Sequence, residues 1–248
     1  MMKIFKDRKK KIEITSVEEW LKHCPPINPS IQWVDKRSAK EMAIFWTDIK
    51  NQNDFLMFLQ NVSKDLNFNY ALPEVATKFD EYKSPRKNDL CVFATGSSGE
   101  ILISIEGKSD EHFGENYVDK EWILSINEKN KRRESKKLDR LIGLYQRFNC
   151  NADFLKFRYQ LTYWLAGAID DAIRNEINTV FLIVQEFHSD KTNEEKIAVN
   201  KRDLDFFVNF ISDSAYKNLN NNQIIGPIKN QFTKQLNLYI GKYQKNLE

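Results

Sequence analysis

The chain has 248 residues, enough for one large domain or two small ones. Apolar residues at 41% and aromatic residues at 12% exclude a disordered chain, and 8 Gly with 6 Pro exclude collagen-like or linker-dominated architectures. The net charge of +3 hides segregation, because residues 3–11 and residues 129–140 are each +5 and the remainder sums to −7.

Residues 3–11 read as a basic terminal tail, with no apolar stretch of the secretory kind behind it. Residues 16–23 read as a helix capped by Ser16, with Glu18 and Glu19 in its first turn. Pro25, Pro26 and Pro29 force an extended connector. Ser38 then caps a helix carrying Met42, Ala43, Phe45 and Trp46, with Glu41 at the capping-box position. Phe55, Leu56, Phe58, Leu59 and Val62 give a helix over 53–65 a broad apolar face. Pro73 marks the start of another, over 73–80.

The pattern changes at Asn88. Residues 89–95 and 100–107 are short and β-rich, and Gly96-Ser97-Ser98-Gly99 between them predicts a hairpin. A polar stretch runs to about 137, followed by a long helix over 153–175. Residues 179–187 form a nearly continuous apolar strand of the kind buried on both faces. A helix over 201–213, a loop over 218–223 and a last strand over 236–243 complete the chain. Helices before, between and after strands predict an α/β layered domain. No linker divides it, so a single domain over 1–248 is expected. No apolar run is long enough to cross a bilayer. Cys24, Cys91 and Cys150 are odd in number and widely spaced, which suits a reducing, cytoplasmic setting. Neither they nor His23, His112 and His188 keep zinc-ligand spacing.

The hairpin carries the chemistry. A turn centred between Ser97 and Ser98 puts Asp89 opposite Glu106, with Lys108 on the same side two residues on. Leu90, Val92 and Ala94 then face Ile101, Ile103 and Ile105 on an apolar face whose burial locks the register. Two carboxylates about 5 Å apart repel by roughly 3 kcal/mol at an effective dielectric of ~20. A divalent cation between them converts repulsion into ligation, and hard oxygen donors suit Mg²⁺ or Mn²⁺. An adjacent lysine then orients water or stabilises phosphoryl charge. The alternative is a half-exposed hairpin with an ordinary Glu–Lys pair at its end.

Asn88-Asp89, a hairpin, and Ile105-Glu106-Gly107-Lys108 together resemble the PD-(D/E)XK nuclease superfamily over roughly residues 70–190. The resemblance implies a three-layer restriction-endonuclease-like α/β core with a mixed central sheet flanked by helices. Residues 1–69 would be an N-terminal helical elaboration, and 191–248 a C-terminal helix and edge strand. It implies that Asp89 and Glu106 bind the metal with the Gly107 carbonyl, and that Lys108 is the catalytic lysine. Asn88 stands where the superfamily often has Pro, a residue without a chemical role. Glu74, in Pro73-Glu74-Val75-Ala76, matches the acid many members place near the metal on the preceding helix. It also suits a first-turn Glu that complements the helix dipole.

Arg158-Tyr159-Gln160-Leu161 resembles the helix motif of RecB-like nucleases, although Tyr163 and Trp164 do not keep its downstream tyrosine spacing. Gln160 and Arg158 are site residues on that reading. On the other, they are the wet side of a helix whose stripe is Phe154, Phe157, Leu161, Leu165, Ala168 and Ala172. The segment Gly107 to Gly114, with Ser38-Ala39-Lys40-Glu41 and the Arg158 motif, also resembles an uncharacterised bacterial nuclease-like family. Asp110 and Glu111 could then hold a second metal or simply end the strand. His112 reads as a general base or as an exposed loop residue.

The leading expectation is a Mg²⁺- or Mn²⁺-dependent endonuclease acting on nucleic acid, with DNA the expected substrate, in bacterial defence or restriction. A homodimer or a larger defence complex is compatible with it, and a membrane is not needed. Lys131, Arg132, Arg133, Lys136 and Lys137, with Arg158, are expected to contact phosphates. The first alternative is a non-catalytic nucleic-acid- or protein-binding module that keeps a nuclease fold. The second is a metal-dependent hydrolase of a small phosphate substrate.

Overall fold

The computed structural model describes residues 2–77, 79–80, 86–130 and 136–248, with Arg86 described in its backbone alone. The chain opens with strands Lys3–Phe5 (β1) and Glu13–Ile14 (β2), then helices Val17–His23 (α1), Pro29–Gln32 (α2), Ser38–Thr47 (α3) and Ile49–Gln60 (α4). Strands Asn67–Thr77 (β3), Arg86–Gly96 (β4) and Gly99–Lys108 (β5) follow, and then helices Val118–Asn130 (α5) and Lys137–Arg147 (α6). A 3₁₀ turn at Ala152–Lys156 leads into helix Tyr159–Arg174 (α7) and strand Thr179–His188 (β6). Helix Glu194–Ile211 (α8) and strands Gln223–Ile228 (β7) and Asn237–Asn246 (β8) end the chain.

Among the described residues the strands make one mixed sheet of eight, in the order β2-β1-β3-β4-β5-β6-β8-β7. One face is covered by α1, α3 and α4, through Trp20, Met42, Trp46, Phe55 and Leu59. The other is covered by α5 to α8, through Val118, Leu141, Leu144, Trp164 and Phe207. The protein is therefore a three-layer α/β fold, as the sequence predicts. Among the described residues no helix is long and apolar enough to cross a membrane.

The hairpin register is the predicted one. Ladder pairs run from Gly96↔Gly99 to Leu90↔Ile105. Leu90, Val92, Ala94, Ile101, Ile103 and Ile105 share the core under α3 and α4. Cys91, Phe93 and Leu102 on the opposite face are buried too, so the hairpin is central and not half-exposed. Strand β6 is wholly internal, between β5 and β8 in parallel register, which explains its unbroken apolar run.

Several local readings give way to tertiary contacts. Of the helix expected over 73–80, residues 73–77 are instead the end of β3. Pro73 pairs with Leu90 of β4 at a level where β3 is an edge, since β1 meets β3 at Tyr70 and Ala71. Ser38 is the first residue of α3 and not its cap, because its hydroxyl donates to the Glu111 carboxylate, while Glu41 accepts from the Lys36 N–H at 2.8 Å. The long helix over 153–175 is broken at Phe157-Arg158. There Val118 N–H donates to Phe157 O and Tyr159 N–H to Asn116 O, which holds the chain extended.

Residues 118–130, inside the stretch read as polar, are a helix, and residues 137–147 after it form another. The expected edge strand, β8, is internal, and β7 is the edge. The basic N-terminus is not a free tail. Arg8 forks onto both Asp171 oxygens at 2.7 Å, and Lys10 Nζ lies 3.3 Å from the Tyr70 ring centroid.

Candidate active site

Three adjacent strand ends bring the acids together. Pro73↔Leu90 and Val75↔Asn88 flank Glu74, so Glu74 lies across from Asp89. Leu90↔Ile105 closes the described β4–β5 ladder, so Asp89 comes across from Glu106. The Asp89 carboxylate turns onto the neighbouring backbone and accepts the Gly107 N–H at 2.8 Å. Burial, and after it the Glu106 charge, hold the Asp89 carboxyl well above the usual carboxylate range. The missing side chain at Gly107 makes room for Met42 of α3 rather than for Asp89. A Cβ there would lie 2.8 Å from Met42 Cγ and 3.6 Å from Asp89 Oδ2.

Glu106 and Lys108 are 2% and 5% exposed. Lys108 Nζ donates to Glu106 Oε1 at 3.0 Å, and Gln160 Nε2 donates to the same oxygen at 2.5 Å. Burial opposes the Lys108 charge, but the carboxylates of Glu106, Glu111 and Asp89 outweigh it and hold the ammonium above the ordinary lysine range. Lys108 therefore stays protonated at neutral pH. Phe113 packs beneath it, with its ring centroid 5.5 Å from Nζ.

The helix motif delivers one of its two candidates. Gln160 sits in the first turn of α7 and reaches Glu106, and its Oε1 is buried without a hydrogen-bond partner. Gly114, at φ +68°, takes the left-handed conformation that glycine favours, and a Cβ there would lie 3.4 Å from Gln160 Cβ. Arg158 is not free to touch a phosphate. It is 6% exposed, and its Nε donates to Asp203 Oδ2 at 2.6 Å while the guanidinium lies 4.1 Å from the Tyr117 ring centroid. The extended break before α7 points Arg158 at α8 and away from solvent. Arg158→Ala should cost about 3 kcal/mol, the lower end for a broken buried pair, because Asp203 keeps the Tyr117 hydroxyl and the Arg202 guanidinium. A urea melt measures it, and an unchanged midpoint would contradict the pairing.

Glu74 is near the acids but on a strand, at φ +51°, and not on a helix. Its carboxylate lies 3.5 Å from Lys87 Nζ, and burial raises its pKa above the usual value. Glu111 accepts the Ser109 and Asp110 N–H groups at 3.2 and 3.1 Å, and Asp110 pairs with Arg37. Those bonds close the turn after β5, which is the strand-ending alternative. His112 is half-buried, with Nδ1 enclosed and without a hydrogen-bond partner. In the basic run, Lys136 is exposed and Lys137 pairs with Glu121. Lys131, Arg132 and Arg133 lie outside the described residues.

Sequence reasoning missed Glu186 on β6 and Lys242 on β8, which pair at 2.9 Å beside Lys108. Their signal was visible. A charged residue interrupts each of two apolar strands, TVFLIVQEF and LNLYIGKY.

Among the described residues no three His, Cys, Asp or Glu side chains converge on a metal position. The side-chain donors are two, Asp89 and Glu106, beside the Gly107 backbone. Such a sparse, hard-oxygen set matches Mg²⁺, which keeps several waters and takes one or two carboxylates. Asp89 comes across from Glu106 at the end of the β4–β5 ladder, and burial with the Glu106 charge disfavours its ionised form, a cost that a cation between the two would offset. A family model described as "Domain of unknown function (DUF6946)" matches residues 13–247. No curated protein and no solved structure matches the chain.

Proposed function

The chain belongs to the DUF6946 family, and from the geometry of its site we propose that it is a metal-dependent nuclease of the PD-(D/E)XK kind, with DNA as substrate and a role in bacterial defence or restriction. One observation carries the reading: Asp89, Glu106 and Lys108 meet at adjacent strand ends, with Gln160 from α7 donating to Glu106. A packing role alone does not explain two acids and a lysine in the middle of a sheet.

Asp89, Glu106 and the Gly107 carbonyl would hold Mg²⁺ or Mn²⁺, which supplies Lewis-acid charge at the phosphoryl oxygens and acidifies water. The chain does the rest. Gln160 and Lys108 fix the Glu106 carboxylate in one rotamer through its Oε1. Lys108, kept protonated, donates hydrogen bonds to the attacking water and to a phosphoryl oxygen as charge develops there. Phe113 and the α7 face keep bulk water from the lysine arm, which strengthens those interactions.

The decisive assay incubates the purified protein with plasmid, single-stranded DNA and RNA, in Mg²⁺, in Mn²⁺ and in EDTA. Cleavage of DNA in metal and none in EDTA is expected. Binding without cleavage in either metal would overturn the catalytic reading in favour of a non-catalytic module. Cleavage only of small phosphate esters would favour the small-substrate hydrolase. DNA affinity should fall with salt at a slope of about −0.9 per phosphate neutralised. Replacing Lys131, Arg132, Arg133, Lys136 and Lys137 with Gln should flatten that slope, whereas an unchanged slope would leave this run as a solvated loop.

A further inference from the structure

A second buried ion pair sits at the same end of the sheet. Glu186 of β6 is the ladder partner of Lys108, and paired residues on neighbouring strands present their side chains on one face. Lys242 of β8, 1% exposed, sets its Nζ 2.9 Å from Glu186 Oε2. His188 Nε2 lies 2.9 Å from the same oxygen. Charge thus alternates across three strands, from Glu106 through Lys108 and Glu186 to Lys242. Burial would raise the Glu186 carboxyl, but the His188 hydrogen bond and the Lys242 charge outweigh it and hold it below the usual range.

Filling space does not explain Lys242. A buried ammonium carries a desolvation penalty of several kcal/mol, and the same strand face is filled two and four residues earlier by Ile240 and Leu238. What Lys242 changes is the choice open to Lys108. Neighbouring strands lie about 4.8 Å apart, so the four-carbon arm of Lys108 can reach Glu106 on its own strand or Glu186 on the next. It takes Glu106, at 3.0 Å.

We propose that Lys242 is a positioning residue: by occupying Glu186 it leaves Glu106 as the carboxylate for Lys108, and so holds Lys108 over the candidate site. The consequence for cleavage rests on the nuclease reading, whereas the pairing does not.

The test compares wild type, Lys242→Met and the double variant Lys242→Met/Glu186→Gln. Crystal structures locate Lys108 Nζ, and cleavage kinetics follow kcat and KM. In Lys242→Met, Lys108 should move to Glu186, and kcat should fall about tenfold or more with KM little changed, since a misplacement of ~1 Å can cost about 100-fold. In the double variant no carboxylate competes, so Lys108 should return to Glu106 and kcat recover to within about threefold of wild type. A merely structural lysine also predicts recovery in the double variant, since the unpaired Glu186 charge is gone, but it predicts Lys108 on Glu106 in all three proteins, so the position of Nζ decides between the two. Lys108 still on Glu106 in Lys242→Met, or a double variant as impaired as the single one, would overturn the proposal. If Lys242→Met does not fold, Lys242→Gln takes its place with the same criteria. A wild type that cleaves nothing would sink the nuclease reading alone, and the Lys108 positions would still decide this one.

Discussion

Lys108→Ala is expected to lose cleavage by about 1,000-fold, in the range seen when one preorganised donor to a developing oxyanion is removed. The structure gives the effect its direction. Lys108 is held above the ordinary lysine range by Glu106, Glu111 and Asp89 against the cost of burial, so it enters the reaction charged. Among the described residues Gln160, a neutral donor, shares Glu106 Oε1 with it. Metal binding should survive, because both carboxylates remain, and isothermal titration with Mn²⁺ separates the two effects. Glu106→Gln should lose cleavage and metal binding together. If a clean Glu106→Gln preparation nicks plasmid in metal at the wild-type rate, the site is elsewhere.

Asp89→Asn should change stability in a way an ordinary hairpin residue cannot. Asparagine keeps the oxygen that accepts the Gly107 N–H and removes the charge that burial and Glu106 disfavour. Without metal the variant should therefore melt at or above wild type. A cation that binds only the folded protein adds about 2.7 kcal/mol at a hundredfold excess over Kd, or about 5–10 °C in a chain of this size. Mn²⁺ should give wild type that rise and give Asp89→Asn little. The pH dependence has a definite sign. The folded-state pKa of Asp89 lies above its unfolded value of about 3.9, so its favourable contribution is complete below that value. It is lost as pH rises through the folded pKa. Metal-free wild type should thus gain on Asp89→Asn as pH falls from neutral towards 4. Asp89→Asn clearly destabilised in EDTA, with both proteins shifted equally by Mn²⁺, would remove the paired-acid site.

Much of the site was legible because its determinants are local. Asp89, Glu106 and Lys108 belong to one hairpin, and its short Gly-Ser-Ser-Gly connection sets the register. Gln160 was legible only as a motif. That it meets Glu106 needs α7 to cross β5, 54 residues away in sequence.

Other features were decided by partners far along the chain. Pro73-Glu74 has the local look of a helix start, yet nine ladder pairs with β4 make the segment a strand. Arg158 looks like a phosphate ligand until Asp203 of α8 claims it. Glu186 and Lys242 stand 56 residues apart, and only the parallel β5-β6-β8 ladders set them beside Lys108. The sequence by itself determined the layered α/β class, the hairpin, its register and the row of charges at its end, because periodicity and turn chemistry act over a few residues. Which charges face one another across strands and helices was settled by the tertiary structure, because a buried ion chooses its partner by proximity in space, and separation along the chain carries no record of that choice.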